Sequence, residues 1–299
     1  MHVITLFNEK GGVGKTTLAV TIAAGLAIRG AQVLLVDADA QANAAHALGI
    51  APYTGFYDLI VRDAGFEDVV RAVDSTRLLP ADQANDLAGN LYLIGSNHET
   101  LNVANSQTDI EKFLNIMLLL QETTFPTGPI DFVIVDTPPT PSLLHAMLYM
   151  ATDATIIPTR LEPFAMKGVR STVNYHAKYS RLRTGQGYDP IQPLGIVPIA
   201  TELNTYEHSD NYRYLLQTFD HAQYVNYLRQ GNDQAAYAAA MQEKAGSPQI
   251  EVWRPLHKRI RWSEAQGSQR TLFAIDPEGQ ATVDAWNVVD KVVAYASAT

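Results

Sequence analysis

Short apolar runs alternate along the chain with longer segments whose apolar residues recur at helical spacing. Each run is apolar on both faces, which is typical of a strand that is buried between two layers. Strands are predicted at 3–7, 33–36, 92–94, 132–135, 155–157 and 195–199. Helices are predicted at 15–28, 109–122, 142–151 and 165–182. This alternation predicts an α/β fold, with a mostly parallel, doubly wound sheet and helices on both faces.

The last third of the chain follows a different pattern. Residues 204–250 are helical and polar in character, and a turn at 246–248 separates them from an apolar stretch at 252–256. A final helix is predicted at about 280–296, with Val283, Trp286, Val289 and Val293 buried. We see no low-complexity linker and no internal repeat. We therefore expect one domain over 1–299 with a helical insertion at about 204–250.

The composition excludes several classes of protein. Hydrophobic residues make up 46% and charged residues 18%, which excludes wholesale disorder. The absence of cysteine excludes disulfides, thiolate zinc sites, iron–sulfur clusters and cysteine nucleophiles. The first apolar run is too short for a signal peptide, and no run reaches the roughly 18 apolar residues of a membrane span. We expect a soluble, cytoplasmic protein.

The charge is unevenly distributed. The net charge is −9, but residues 160–299 hold 15 basic and 14 acidic side chains and are nearly neutral. Two basic clusters stand out, and either is also explained as a solvated helix face. The first is Arg160, Lys167, Arg170, Lys178, Arg181 and Arg183. The second is Arg254, Lys258, Arg259, Arg261 and Arg270. Such clusters allow an acidic protein to bind nucleic acid through its local field.

A phosphate-binding loop is predicted directly after the first strand. The loop and the start of the next helix comprise Lys10, Gly11, Gly12, Val13, Gly14, Lys15, Thr16 and Thr17. The general pattern is G-x-x-x-x-G-K-[ST], but Glu9 stands where that pattern has its first glycine. Glycines let backbone N–H groups converge on an anion at a helix N-terminus. Lys15 then reaches the β- and γ-phosphates, and the Thr16 hydroxyl coordinates Mg²⁺.

Carboxylates follow two of the predicted strands. Asp136 ends the strand at 132–135, where a parallel sheet places an aspartate that supports Mg²⁺. The strand at 33–36 leads into Asp37, Asp39 and Gln41, and either Asp39 or Gln41 could hold an attacking water. A single aspartate at a strand end is often only a helix cap. Three such motifs in this order favour a nucleotide site.

These segments resemble the ParA/MinD family of deviant-Walker ATPases, and especially its ParA branch. The resemblance is carried by NEKGGVGKTT (8–17), VLLVDADAQAN (33–43), FVIVDTPP (132–139), IIPTRLEPFAMKG (156–168), GIVPI (195–199) and, more faintly, RIRWSEAQGS (259–268). It implies a P-loop NTPase fold that uses ATP and Mg²⁺. Lys10, Lys15, Asp39 and Asp136 are the implied catalytic residues, and Thr16, Asp39 and Asp136 are the implied metal site. Lys10 matches the family's signature lysine, which crosses to the phosphates of a partner subunit, and Asp39 matches its switch aspartate.

The resemblance also implies a cycle. ATP would join two copies, the homodimer would bind nonspecific DNA on the nucleoid, and a ParB-like or cargo-adaptor protein would stimulate hydrolysis and release. Such proteins segregate plasmid or chromosome DNA, or position a cargo. The DNA contacts are expected at Arg254, Lys258, Arg259, Arg261 and Arg270, because that region lies near the DNA-facing side in relatives. The cluster at 160–183 is expected to lie partly at the dimer interface. Glu9 and Arg160 depart from the family pattern.

Two alternatives stay open. A MinD-like membrane-positioning ATPase would need a basic amphipathic helix. The predicted last helix carries Lys291 beside Asp284 and Asp290, so we expect its apolar side to be core and expect no membrane partner. A metabolic ligase on the same fold would turn over a small acid acceptor without stimulation by DNA. Nitrogenase-type reductases need cysteines for their cluster and are excluded.

Overall fold

One sheet organises the computed structural model, which describes residues 1–106, 109–123, 125–230, 234–243 and 248–299. The strands within these ranges are β1 (His2–Leu6), β2 (Gln32–Asp37), β3 (Val70–Ala72), β4 (Asn90–Ile94), β5 (Phe132–Asp136), β6 (Ala154–Arg160) and β7 (Gln192–Ile199). Their order across the sheet is β3-β4-β2-β5-β1-β6-β7. All neighbours are parallel except β3, which pairs antiparallel with β4 at the edge. The predicted fold class and its six strands are confirmed. The prediction missed β3, whose three residues form no apolar run.

Helices cover both faces of this sheet. In chain order they are α1 (Lys15–Ile28), α2 (Asn43–Ala47), α3 (Gly55–Val61), α4 (Phe66–Val69), α5 (Lys112–Glu122), α6 (Leu143–Ala151), α7 (Pro163–Gly185), α8 (Tyr206–Phe219), α9 (His221–Gln230), α10 (Gln234–Ala240), α11 (Ile260–Gly267), α12 (Leu272–Ile275) and α13 (Gln280–Ala298). Short 3₁₀ turns lie at Ser75–Arg77, Ala84–Asp86 and His98–Asn105. The predicted helices are present with small shifts at their ends.

The side chains of each central strand alternate between two cores. In β1, Ile4 and Leu6 are buried on the side of α1 and α13, and Val3 is buried on the side of α5 and α6. In β2, Leu35 is buried on the side of α1 and α13, and Leu34 is buried on the side of α5 and α6. Burying one such side chain contributes about 2 kcal/mol, so the strands are held from both sides. This explains why they are apolar on both faces.

Helix α1 is buried around its circumference because it lies between the sheet and α13. The contact with α13 is close: a Cβ on Gly25 would lie 2.4 Å from a Val289 methyl carbon. The predicted core stripe of the last helix is partly wrong. Val289 is buried, but Val283 is 45% exposed. The buried side of α13 comprises Ala281, Thr282, Asp284, Ala285, Val288, Val289 and Val292. None of the helices that the structure describes has the length and apolarity needed to cross a bilayer.

The stretch at 204–250 forms α8, α9 and α10 over its described residues. Leu215 and Leu216 of α8 pack in a third core with Val169 and Val173 of α7. Residues 246 and 247 of the predicted turn lie outside the described residues. Beyond them the chain runs beside β7, where the backbone N–H of Trp253 donates to the Ile196 carbonyl at 2.8 Å. This segment leads into α11, which lies at the same edge of the sheet as the loop after β1.

Candidate nucleotide-binding site

The loop between β1 and α1 lies at the carboxyl edge of the sheet, where β1 is flanked by β5 and β6. Gly12 and Gly14 adopt left-handed backbone conformations, with φ of 74° and 79°. A Cβ on Gly14 would also lie 2.0 Å from the Cδ1 atom of Ile199. The backbone conformation therefore favours glycine at position 14, and any larger residue would also have to displace the Ile199 side chain.

Lys15 is directed back into this loop. Its side chain is buried, and its ammonium donates to the carbonyls of Asn8 at 3.0 Å and Lys10 at 3.2 Å. Burial lowers the pKa of Lys15, whereas the nearby Asp136 and Asp39 raise it. The ammonium is thus held at the base of the loop by carbonyl oxygens, which phosphate oxygens could replace.

Lys10 differs from Lys15 in both position and contacts. Its backbone N–H donates to the Asn8 side-chain oxygen at 2.9 Å, and the Asn8 amide donates to the Pro158 carbonyl at 2.8 Å. Asn8 thereby ties the loop to β6. Helix α7 approaches closely here, because a Cβ on Gly168 would lie 2.4 Å from the Asn8 side-chain oxygen. The Lys10 side chain is exposed and makes no hydrogen bond or ion pair with the residues that the structure describes.

Two buried carboxylates face each other on β2 and β5. Asp37 and Asp136 are partners in the strand register, and both are fully buried. Neither carboxylate oxygen of Asp136 has a hydrogen-bond partner among the described residues. Burial raises the pKa of Asp136 well above its usual value and Asp37 adds to this, whereas Thr16 and Lys15 oppose it. An unpartnered buried carboxylate beside a hydroxyl and an ammonium is suited to a cation site.

Asp37 also has a structural role that the sequence did not indicate. One of its carboxylate oxygens accepts from the Ala44 N–H at 3.1 Å, at the start of α2. The other accepts from the Asp39 N–H at 3.1 Å. Burial nevertheless raises the pKa of Asp37 to about 7. Asp37 therefore fixes the path of the segment that carries Asp39.

Asp39 lies half-buried at the mouth of the site. Its carboxylate accepts from the Gln41 N–H at 3.1 Å, and its carbonyl accepts from the Ser96 hydroxyl. Both Asp39 and Gln41 line the cleft beside the loop. The structure thus places the two residues proposed to hold water on one wall of that cleft.

The cleft has two adjoining parts. The larger is a cavity of about 750 Å³. It is lined by the loop glycines, by Lys15, Thr16 and Thr17, and on one side by Asp39 and Gln41. The smaller, of about 290 Å³, is lined by apolar side chains that include Ile199, Leu256 and Trp262, together with the cations Arg160, Lys258 and Arg259. A polar part beside an apolar part suits a phosphorylated ligand that carries a planar base.

Helix α11 forms a wall of this cleft that the sequence prediction did not include. The Gln266 side-chain amide donates to the Thr17 hydroxyl at 2.6 Å, across 249 positions of sequence. Trp262 lines the apolar part of the cleft. The only signal for these residues was the faint resemblance over 259–268. It carried no recognisable ligand-binding spacing.

No group of three or more His, Cys, Asp or Glu side chains in the described ranges is placed to hold a metal ion. Mg²⁺ does not require such a cage, since it is usually bound by one or two carboxylates together with phosphates and water. The unpartnered Asp136 beside Thr16 fits that mode of binding.

Known proteins are similar to this chain in sequence and in fold. A family model described as an AAA domain matches residues 1–183. The chromosome-partitioning ATPase Soj of Thermus thermophilus is 37% identical over 166 residues, covering 56% of this chain and 57% of the relative. The sporulation initiation inhibitor protein Soj of Bacillus subtilis is 32% identical over 177 residues, covering 58% and 63%. The chain belongs to the ParA/MinD family.

The extent of these matches is limited. The chain spans about 60% of the length of the curated relatives it matches. Over its whole length it is similar in fold to apo McdA of Cyanothece, with a TM-score of 0.69, 18% identity, and coverage of 98% of this chain and 99% of that one. The family resemblance predicted from the motifs is confirmed.

In this ParA/MinD family member, most cations predicted to contact DNA have partners within the chain. Lys258 pairs with Glu202 at 3.4 Å, and Arg259 pairs with Asp284 at 3.3 Å. Arg261 lies 2.7 Å from Glu264 and 3.2 Å from Asp276. Arg270 donates to the backbone carbonyls of Thr76 and Leu79, whereas Arg254 is exposed. Lys258 and Arg259 also line the smaller part of the cleft.

A buried histidine on α6 predicts a pH-dependent stability for this ATPase-family chain. Neither ring nitrogen of His145 has a hydrogen-bond partner among the described residues. Burial, assisted by the charge of Lys15, lowers the pKa of His145 from 6.5 to about 4. Because the unfolded chain takes up this proton near pH 6.5, His145 should contribute a decrease in the free energy of unfolding between pH 6.5 and 4, of at most about 3 kcal/mol. Urea unfolding at several pH values measures this dependence.

His145→Phe should lose this part of the pH dependence, because phenylalanine leaves no ring nitrogen to protonate. The exposed His98 provides the matched control as His98→Asn. If the free energy of unfolding changed with pH equally in wild type and His145→Phe below pH 6.5, the assignment to His145 would be wrong.

Proposed function

We propose that this chain is a ParA-like partition or positioning ATPase that hydrolyses ATP with Mg²⁺. ATP joins two copies into a homodimer, and the homodimer binds nonspecific DNA. A ParB-like or cargo-adaptor protein stimulates hydrolysis, which separates the copies and releases the DNA. The chain acts in the cytoplasm on the nucleoid, to segregate plasmid or chromosome DNA or to position a cargo.

The different environments of Lys10 and Lys15 carry this proposal. Lys15 is buried and points into its own loop, which is the position of a lysine that binds phosphates within one subunit. Lys10 is exposed and has no side-chain partner among the described residues. A nucleotide site that works within one chain needs only the first lysine. The second is available to neutralise charge on the nucleotide of another copy.

The chain's own residues divide the work of hydrolysis. The N–H groups of Gly11 to Thr16 hold the phosphates, and Lys15 leaves its carbonyl partners to bind the β- and γ-phosphates. Thr16 and Asp136 would hold Mg²⁺, and the bound ion would supply positive charge beside the phosphate oxygens. Asp39 and Gln41 orient the attacking water. The smaller part of the cleft, which Trp262 lines, would hold the base.

The packing of α13 favours DNA over a membrane as the binding surface. Its apolar side is occupied by α1 and the core, with Val288 and Val289 buried. A membrane-binding helix would need that side free.

Retention on DNA tests the proposed function. The chain should be retained on nonspecific DNA in the presence of ATP, and much less with ADP or without nucleotide. Lys15→Ala should not be retained under any of these conditions. Turnover with a small acid acceptor, insensitive to DNA, would instead indicate a ligase.

Asp39→Ala should uncouple binding from hydrolysis. Because Asp39 lies at the mouth of the cleft, away from the Lys15 ammonium's own partners, its loss should slow hydrolysis about 100-fold while ATP affinity stays within about threefold. The ATP-loaded dimer should persist and stay on DNA. Phosphate release and equilibrium ATP binding measure the two quantities.

Asp82→Ala, at an exposed carboxylate outside the cleft, is the control and should behave as wild type. Equal losses in ATP affinity and turnover for Asp39→Ala would show that Asp39 only supports Mg²⁺.

A further inference from the structure

Helix α7 has an unusual charge content for an acidic protein. Over Pro163–Gly185 it carries five basic residues and no acidic one, in a chain whose net charge is −9. One of the five, Arg183, points inward: it is 4% exposed and donates to the Met150 carbonyl at 2.6 Å. The other four cations face solvent.

These four cations form one stripe, which we name the α7 stripe: Lys167, Arg170, Lys178 and Arg181. Their spacing of three, eight and three residues places them within about 80° of one another around the helix. The exposed Asn174 fills the gap between the second and third. From end to end the stripe extends about 21 Å.

The α7 stripe is not neutralised within the chain. No carboxylate of the described residues lies within ion-pair distance of its four cations. Three of them rest on aromatic rings instead: Lys167 on Phe164 at 5.7 Å, Arg170 on Tyr214 at 5.3 Å and Lys178 on Tyr179 at 5.2 Å. Aromatic rings hold the side chains in place while leaving the positive charge available. The cluster at 254–270 is different, because three of its five cations form ion pairs with carboxylates of the same chain.

We propose that the α7 stripe is the surface on which this chain holds the phosphate backbone of DNA. Over about 21 Å, duplex DNA presents roughly a dozen phosphate charges, so each cation of the stripe has phosphates within reach. Lysine and arginine on an exposed helix face bind phosphates without reading bases, which gives sequence-independent binding. The inference rests on the proposed function. It replaces the 254–270 cluster as the DNA surface, and it assigns the four exposed cations of α7 to DNA instead of to the dimer interface expected for part of the 160–183 cluster.

The stripe also accounts for a dependence on ATP. Four phosphate contacts in one copy correspond to a salt slope of about −3.6, and joining two copies doubles the number of contacts. A single copy therefore binds weakly at physiological salt, and two joined copies bind strongly. The stripe begins beside Gly168, which packs on Asn8 of the phosphate loop, so its first cation lies next to the nucleotide site.

Charge reversal at the far end of the stripe tests the inference. Lys178→Glu with Arg181→Glu changes two exposed side chains that we do not place in the nucleotide machinery. With ATP, retention on nonspecific DNA at 100 mM salt should fall at least about tenfold, and the salt slope of the dimer should flatten by about 3.6. ATP-driven dimerisation and basal hydrolysis should be unchanged, which also shows that the variant folds. Lys178→Gln with Arg181→Gln should also lower retention on DNA, but by less than the charge reversal does.

Two further double variants reverse the same number of charges as the Lys178/Arg181 variant and serve as its controls. Arg62→Glu with Arg71→Glu changes two exposed cations away from the stripe, and Arg254→Glu with Arg261→Glu tests the rival cluster at two exposed cations that do not line the cleft. Both should keep at least half of wild-type retention. Wild-type retention by the Lys178/Arg181 variant, or an equal loss in the Arg62/Arg71 variant, would overturn the inference while leaving the proposed function intact. If wild type were not retained with ATP at all, the proposed function itself would fail.

Discussion

Lys15→Ala should lower kcat/KM for ATP by about 100- to 1000-fold. Lys15 is the buried ammonium of the phosphate loop, and it already lies 3.0 Å from the Asn8 carbonyl at the base of the loop. Alanine leaves the loop glycines in place but supplies no positive charge for the β- and γ-phosphates. Phosphate release and binding of a fluorescent ATP analogue measure the loss.

Protein stability separates this effect from misfolding. Burial lowers the pKa of Lys15, so the folded chain bears a cost for holding this charge, and alanine should not lower the free energy of unfolding by much. The exposed Lys291, which pairs with Glu251 on the surface, is the control as Lys291→Ala. Turnover by Lys15→Ala within tenfold of wild type would contradict the assigned role.

Lys10→Ala should abolish ATP-driven dimerisation and hydrolysis while leaving nucleotide binding to the monomer within a few-fold of wild type. The reason is that Lys10 contributes its backbone to the loop, through the Asn8 hydrogen bond of 2.9 Å, but its side chain has no partner among the described residues. Light scattering after size-exclusion chromatography, with a non-hydrolysable ATP analogue, measures the dimer.

Mixing two inactive variants tests whether Lys10 acts across the dimer. A Lys10→Ala copy keeps its own Lys15, and a Lys15→Ala copy supplies Lys10, so the mixed dimer holds one complete site. Hydrolysis should reappear on mixing. A Lys10→Ala variant that dimerises normally with ATP would exclude the cross-subunit role.

The phosphate loop could be predicted because its determinants are contiguous. Gly12, Gly14 and Lys15 lie within one turn of chain between a strand and a helix, so the local sequence specifies both the backbone and the ammonium. The central strands could be predicted from the sequence equally well, because a strand that is buried on both faces must be apolar throughout. Edge strand β3 has no such constraint, and the sequence of its three residues does not differ from that of a loop.

The cleft wall formed by α11 lay beyond sequence reasoning. Gln266 bonds to Thr17, which is 249 positions away, and no spacing in the sequence records such a contact. The pairing of charges within the basic cluster at 254–270 lay beyond sequence reasoning for the same reason. Arg259 pairs with Asp284, 25 residues further along, and only the folded chain shows that this charge is already balanced.

By itself, the sequence determined the parallel α/β sheet, the phosphate loop with its two lysines, the strand-end carboxylates and the ParA/MinD family. These features depend on short-range rules: periodicity, glycine conformation and motif order. The tertiary structure decided which side of α13 is buried and how Asp37 positions Asp39. It also showed that, among the described residues, the four cations of the α7 stripe have no ion-pair partner, whereas three of the five cations in the 254–270 cluster have one. Each of these depends on which distant residues meet, and packing between elements is what brings them together.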